Sequence, residues 1–169
     1  RGPPYSHAMD TTSLFSVDGK VAVVTGGSRG IGRMIAEGLV RSGVRVYISS
    51  RKAEACDEAA AELSRWGACH SLPADLSTRE GVESLAARVA EREPVVHLLV
   101  NNAGIIVPNL FEDVTHAEGG RQVGVNLLGP INCAMEAVPY LKKRGGGNIV
   151  TISSLAGIVP ETYSSIYTA

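Results

Sequence analysis

The run Val21-Ala22-Val23-Val24-Thr25, feeding Gly26-Gly27-Ser28-Arg29-Gly30-Ile31-Gly32, constrains the fold of this chain more than any other stretch. Four consecutive apolar residues ending at Thr25 suit a strand covered on both faces of a parallel sheet, whereas Ile31, Met34, Ile35 and Leu39 recur at helical spacing. The glycines therefore occupy a turn between a strand and a helix. Without Cβ atoms at Gly26, Gly30 and Gly32, backbone amides at the helix N-terminus can approach a pyrophosphate, whose charge the helix dipole favours. The spacing Gly-x-x-x-Gly-x-Gly departs from the commoner Gly-x-Gly-x-x-Gly, and a tight turn without a ligand is the competing reading. The strand before it and the helix after it favour a dinucleotide.

In chain order, a strand over 20–25 leads to a helix over 31–42 stopped by Gly43, then a strand over 44–49. A helix over 53–66 turns Ala55, Ala59, Ala60 and Leu63 inward and is followed by a strand over 68–72. Ser77-Thr78-Arg79-Glu80 has the form of a capping box opening a helix to about Arg92, with Val82, Leu85, Ala86 and Val89 inward. Val95–Val100 is a strongly apolar strand, and Asn101-Asn102-Ala103-Gly104 stands where the carboxyl end of a parallel strand meets a ligand. Thr115-His116-Ala117-Glu118 is a second possible capping box, opening a helical stretch towards Lys143 that Gly119, Gly120, Gly124, Gly129, Pro130 and Pro139 weaken or bend. Asn148–Ser153 is the fifth strand, and Ser154–Ala169 is a loop turning into a helix. Strands alternating with helices at this spacing predict an α/β fold, a Rossmann-type doubly wound parallel sheet in spatial order 3-2-1-4-5.

At 169 residues and 44% hydrophobic, the chain is expected to form a single domain over residues 9–169, with residues 1–8 before Met9 reading as an expression scar. A net charge of −1 with both signs interspersed points away from nucleic-acid or membrane partners and towards a small molecule. Cys56, Cys69 and Cys133 are odd in number and form no Cys-x-x-Cys pair, so neither a disulfide framework nor a zinc site is expected, and a cytoplasmic setting fits. The histidines show no metal-ligand spacing, and no metal is expected. No apolar run approaches the ~20 residues of a membrane span.

Two stretches and three single residues together resemble the short-chain dehydrogenase/reductase superfamily, from about Leu14 to the last residue. Thr25-Gly26-Gly27-Ser28-Arg29-Gly30-Ile31-Gly32 resembles its cofactor turn and Asn101-Asn102-Ala103-Gly104 its sheet-stabilising motif, while Asn126, Ser154 and Tyr167 fall where its catalytic residues would. The pattern up to Gly104 looks most like 3-oxoacyl-carrier-protein reductases, including the branch associated with rhamnolipid synthesis. The resemblance implies a nicotinamide-dependent reduction of a ketone to a secondary alcohol, with a small carbonyl or alcohol as substrate. Ile105, Ile106, Val107, Leu155, Ile158 and Val159 favour an apolar or acyl-chain ketone, although the same residues also read as plain core.

A phenol such as Tyr167 beside a nicotinamide can give a proton to a carbonyl oxygen as hydride reaches the carbon. Ser154 can hydrogen-bond that oxygen. Ser153 and Tyr163 are the neighbouring competitors; Ser154-Leu155-Ala156-Gly157 and its separation from Tyr167 match the family pattern. Asn126 lies in an otherwise apolar stretch, where an unpartnered amide costs about 1–3 kcal/mol. The resemblance implies that it holds a water in a proton relay; a helix-kink residue bonded to backbone fits the same position. The matching family aspartate implies that Asp75, in Ala74-Asp75-Leu76-Ser77, accepts from the adenine amino group, against the alternative of an exposed turn residue. Ser50 and Arg51 stand after the second strand where an acid would select NAD(H), and Arg29 can reach the same pocket, so NADP(H) is expected over NAD(H).

The family pattern is Tyr-x-x-x-Lys, whereas the chain ends Tyr167-Thr168-Ala169. The expectation is that the native polypeptide continues, with a lysine two residues beyond Ala169, two further strands, a substrate-covering segment and an interface helix, and that the full-length protein is a homodimer or homotetramer. The alternative is a non-catalytic dinucleotide-binding or partner-binding module. A nucleotide-binding domain of another class, such as a methyltransferase, would leave Asn126, Ser154 and Tyr167 unexplained.

Overall fold

A computed structural model describes residues 15–169, and the segment 1–8 and Met9 lie outside the described residues. Five parallel strands, β1 (Val21–Thr25), β2 (Arg45–Ser49), β3 (Cys69–Ser71), β4 (Leu98–Asn101) and β5 (Asn148–Thr151), form one sheet in the order β3-β2-β1-β4-β5. That is the order expected from the alternation of strands and helices. The order reverses direction between β2 and β4, on either side of β1, which opens a crevice at the carboxyl ends of the strands.

The two-residue period of β1 distributes its side chains between two cores. Ala22 and Val24 join Ala36, Val40, Ile48, Cys56, Ala60 and Leu63 on one face, where α1 (Gly30–Arg41) and α2 (Ala53–Leu63) cover the sheet. Val21 and Val23 join Tyr47, Val82, Leu85, Val89, Leu99 and Cys133 on the other, beneath α3 (Arg79–Ala90) and α5 (Gly129–Lys143). Between these last two helices lie α4 (His116–Val123) and a wide π turn, Gly124–Leu128. A final short helix, α6 (Ser165–Thr168), ends the chain.

Several sequence expectations change in detail. In α1 the buried stripe is Gly32, Ala36 and Val40, while Ile31 and Met34 are 56% and 65% exposed; small side chains bring that helix close to the sheet and rotate the larger ones outward. Thr78, not Ser77, caps α3, accepting from Gly81 N at 3.1 Å, because Ser77 is drawn back to Asp75. The second capping box forms as expected, with Glu118 reaching back to Thr115. The helix of 53–66 stops at Leu63, and Trp66 instead lies under the Arg41 guanidinium, 3.5 Å from the ring centre.

β4 starts later than its apolar run, because His97 is used as a connector. Its N–H donates to Val21 O at 2.9 Å, its carbonyl accepts from Asn148 N at 3.0 Å, and its Nδ1 accepts from Val21 N at 3.1 Å. At the same end of the sheet the buried Glu93 accepts from Arg45 Nη1 at 2.8 Å and from Tyr47 Oη at 2.7 Å, joining the exit of α3 to β2. Burial, then the Glu93 contact, pushes the Tyr47 phenol up to about 12.

His97 gives the fold a pH-dependent seam. Burial first, then the positive charges of Arg144 and Lys20, hold its imidazole below the ordinary value of 6.5, and protonation at Nδ1 would remove the acceptor for Val21. The unfolded chain therefore binds this proton before the folded one does, so the stability it contributes is complete above about pH 6.5 and is lost as pH falls towards the folded value. Urea denaturation at a series of pH values should show this decline in the wild type. His97→Asn, whose Oδ1 offers an acceptor that does not titrate, should flatten it.

Candidate active site

Thr25, the last residue of β1, is 2% exposed and its hydroxyl is fully committed: it donates to Val100 O at 3.2 Å and accepts from Asn102 N at 2.9 Å and Ala103 N at 3.0 Å. The Asn102 side-chain amide returns the link, donating to Thr25 O at 3.0 Å and Gly26 O at 3.3 Å. The carboxyl ends of β1 and β4 are thus fastened to each other before either enters its loop. Only glycine fits two positions in this seam. Gly26 has φ 68°, and a Cβ there would lie 2.8 Å from Asn102 Nδ2 and 2.9 Å from Ala103 Cα. A Cβ on Gly32 would drive into the Gly26 carbonyl and the Asn102 amide.

Above this seam opens a cleft of about 740 Å³, lined by most of the residues that the sequence marks for cofactor binding. The turn contributes Gly26, Ser28, Arg29, Gly30 and Ile31; the end of β2 contributes Ser50 and Arg51. Asp75 and Leu76 come from the loop after β3, and Asn102, Ala103 and Gly104 from the loop after β4. Thr25 and Gly32 stand behind the wall and hold it in place. The cleft also takes in Lys52, Ala55, Ala74, Ile105, Arg121 and Val125. Lys52 directly follows Arg51, and Arg121 and Val125 are four apart on one helical stretch; those are the only traces of them in the sequence.

The electrostatics suit a polyanion. Arg29, Arg51, Lys52 and Arg121 line the cleft against a single lining carboxylate, Asp75, in a chain whose net charge is −1. Arg29 at the N-cap of α1 makes no side-chain capping bond, so the first-turn amides remain available to a ligand. Asp75 Oδ1 accepts from Ser77 Oγ at 2.7 Å and Ser77 N at 3.0 Å, and these bonds, with Arg51 nearby, hold its carboxyl below the usual carboxylate range. Its other oxygen takes no hydrogen bond among the described residues, leaving an acceptor directed by a fixed ring.

Of the three residues singled out for chemistry, Asn126 is the most firmly placed. It lies in the π turn; its Oδ1 accepts from Ile105 N and its Nδ2 donates to Ile105 O, both at 2.8 Å. The amide is thus satisfied by backbone and ties the wide turn to the loop after β4. Ser154 follows β5, and its Oγ accepts from Ala156 N at 3.1 Å at the start of the 3₁₀ turn Leu155–Gly157. Tyr167 is half-buried on α6, which packs against α4 and that same turn. Ser154 and Tyr167 therefore occupy neighbouring elements, and neither is among the residues that line the cleft. Ser153 and Tyr163 are exposed. Tyr163 has φ 64°, a left-handed conformation costing about 1–2 kcal/mol for a side chain, and its carbonyl accepts from Asn109 N at 2.8 Å.

A family model described as short chain dehydrogenase matches residues 20–169. The chain is 38% identical over 148 residues to the rhamnolipids biosynthesis 3-oxoacyl-[acyl-carrier-protein] reductase of Pseudomonas aeruginosa, an alignment spanning 85% of this chain and 58% of the relative. In structure it is similar to a Pseudomonas aeruginosa RhlG/NADP active-site complex, with a TM-score of 0.86 at 36% identity, covering 91% of this chain and 62% of that one. It is also similar to L-sorbose reductase from Gluconobacter frateurii complexed with NADPH and L-sorbose, with a TM-score of 0.87 at 30% identity, covering 90% of this chain and 59% of that one. The chain thus spans about three-fifths of the length of these relatives.

The Thr25 seam is directly testable. Thr25→Val keeps the shape but leaves the Asn102 and Ala103 amides without their acceptor, at about 1–3 kcal/mol for each buried donor. Chemical denaturation should show a loss of roughly 2–6 kcal/mol.

Proposed function

The chain belongs to the short-chain dehydrogenase family, and from that premise we propose that the protein is an NADPH-dependent oxidoreductase that reduces a ketone, of 3-oxoacyl or other apolar type, to a secondary alcohol. The observation that carries this reading is the cleft, in which four cations and the free amides of a helix N-terminus surround a glycine turn whose Gly26 and Gly32 leave no room for a side chain. The names of relatives complexed with NADP and NADPH support it. When bound, the reduced nicotinamide supplies a hydride to the carbonyl carbon.

The protein's own residues perform the remaining work. The amides of α1 and the turn hold the pyrophosphate, Asp75 accepts from the adenine amino group, and Arg29 and Arg51 take the 2′-phosphate, with Lys52 at hand. Tyr167 gives its phenolic proton to the carbonyl oxygen as hydride reaches the carbon. Ser154 orients the same oxygen; its Oγ already accepts from Ala156 N, so its own proton is left to donate. Asn126 positions the loop of Ile105 that borders the cleft. The exposed apolar residues Leu155, Ile158 and Val159 favour an apolar chain on the substrate. The working form is a homo-oligomer.

Steady-state kinetics test both parts of the proposal. kcat/KM should be higher with NADPH than with NADH, and Arg51→Ala should lower the NADPH value about tenfold or more while sparing NADH, since each charge-assisted bond contributes on the order of 1.5–3 kcal/mol. Equal values for the two cofactors, unaltered in Arg51→Ala, would overturn the preference. Tyr167→Phe should cost about 10²–10⁴ in kcat with NADPH binding preserved. Full turnover in that variant would remove the tyrosine from the chemistry.

A further inference from the structure

Arg121 is the cation in the cleft that the cofactor reading leaves without a role. It lines the cleft from α4, an element apart from those that carry Arg29, Arg51 and Lys52, and Val125 one turn later lines it too. Its surroundings are fixed from three sides. The capping box of Thr115 and Glu118 sets the start of α4, and Asn126 ties the following turn to Ile105. Gly124 and Gly129 lie so close to the loop after β3 that a Cβ on either would stand 3.1 Å from Ser77 O and 2.8 Å from Leu76 O. The helical stretch bearing Arg121 and Val125 therefore presses against the same short turn, Asp75 to Ser77, that carries the carboxylate of the cleft. Arg121 is exposed and makes neither an ion pair nor a side-chain hydrogen bond among the described residues. Its nearest acidic neighbour along the helix, Glu118, is bound to Thr115.

We infer that Arg121 closes the adenine end of the cleft, laying its guanidinium on the face of the base whose amino edge Asp75 receives. This rests on the dinucleotide reading of the cleft and adds to it. A base held by its edge at Asp75 presents its flat faces to the two walls, and on the α4 side those walls are Val125 and Arg121. A planar, weakly hydrated guanidinium stacks on such a face, whereas an ammonium only approaches it as a point charge. The role is indifferent to the 2′-phosphate: Arg51 separates NADP(H) from NAD(H), and Arg121 holds the adenosine half of both.

Calorimetric titration of the protein with NADP+ and with NAD+ tests this. Arg121→Ala should weaken both about 5- to 20-fold and leave their ratio unchanged, while Arg51→Ala changes the ratio. Arg121→Tyr, which restores a flat face without charge, should recover most of the affinity, and Arg121→Lys should not. Thermal melting of the three variants should match the wild type, because the side chain is exposed. Rescue by Lys but not Tyr would make Arg121 a phosphate ligand and overturn the inference, as would a loss confined to NADP+ or no loss at all. Failure of the wild type to bind either dinucleotide would defeat the cofactor reading itself, and the inference with it.

Discussion

Everything at the working end of this protein hangs on one hydroxyl group. Thr25 Oγ1 serves three backbone groups of the neighbouring strand and its loop, and the Asn102 amide answers by clasping the first carbonyls of the glycine turn. Two strands that are adjacent in the sheet but some 75 residues apart in sequence are thereby brought into a fixed relation at the point where their loops diverge. The close approach is possible because Gly26 and Gly32 present no side chain to it. Removing water from the seam makes each bond in it more valuable and each loss more costly.

The charge of the cleft is arranged rather than merely abundant. The chain carries a nearly balanced charge, yet four cations line one crevice with one carboxylate, while several acids are engaged away from it. Glu62 pairs with Arg33, Glu93 with Arg45, and Glu118 caps α4. Cations without an acidic partner among the described residues repel one another, and a polyanion entering the cleft would relieve that repulsion. Asp75 is the exception that gives direction, since a carboxylate among cations orients a ligand that has a donor at one end.

Much of this architecture was legible from the sequence, for a physical reason. The glycine turn, the alternation of buried strands with amphipathic helices and the loop at Asn102 are local signals, written in consecutive residues, and the sheet order follows from them. What escaped was what depends on packing between distant segments. Ile31 and Met34 have the spacing of a core stripe, but the small residues Gly32, Ala36 and Val40 win the buried face because the helix lies close to the sheet. Ser77 has the credentials of a helix cap, yet Asp75 claims it. Arg121 reaches the cleft from a helix that follows the glycine turn by some 80 residues, and nothing in its neighbours marks it as part of a site. Asn126 was legible as a residue needing a partner; which partner, Ile105, required the fold.

The wide turn between α4 and α5 also fixes a rotational phase. Each residue of an α-helix turns the chain by about 100°, so the angular position of every residue after the π turn depends on the exact number of residues within it. Cys133, Ala137 and Tyr140 meet the sheet only because Gly124–Leu128 delivers α5 at that angle. Lengthening or shortening the turn by one residue would roll the whole of α5 about its axis, lifting its apolar stripe off the core while Asn126 lost its grip on Ile105. A segment of five residues thus acts as the indexing gear of the second core.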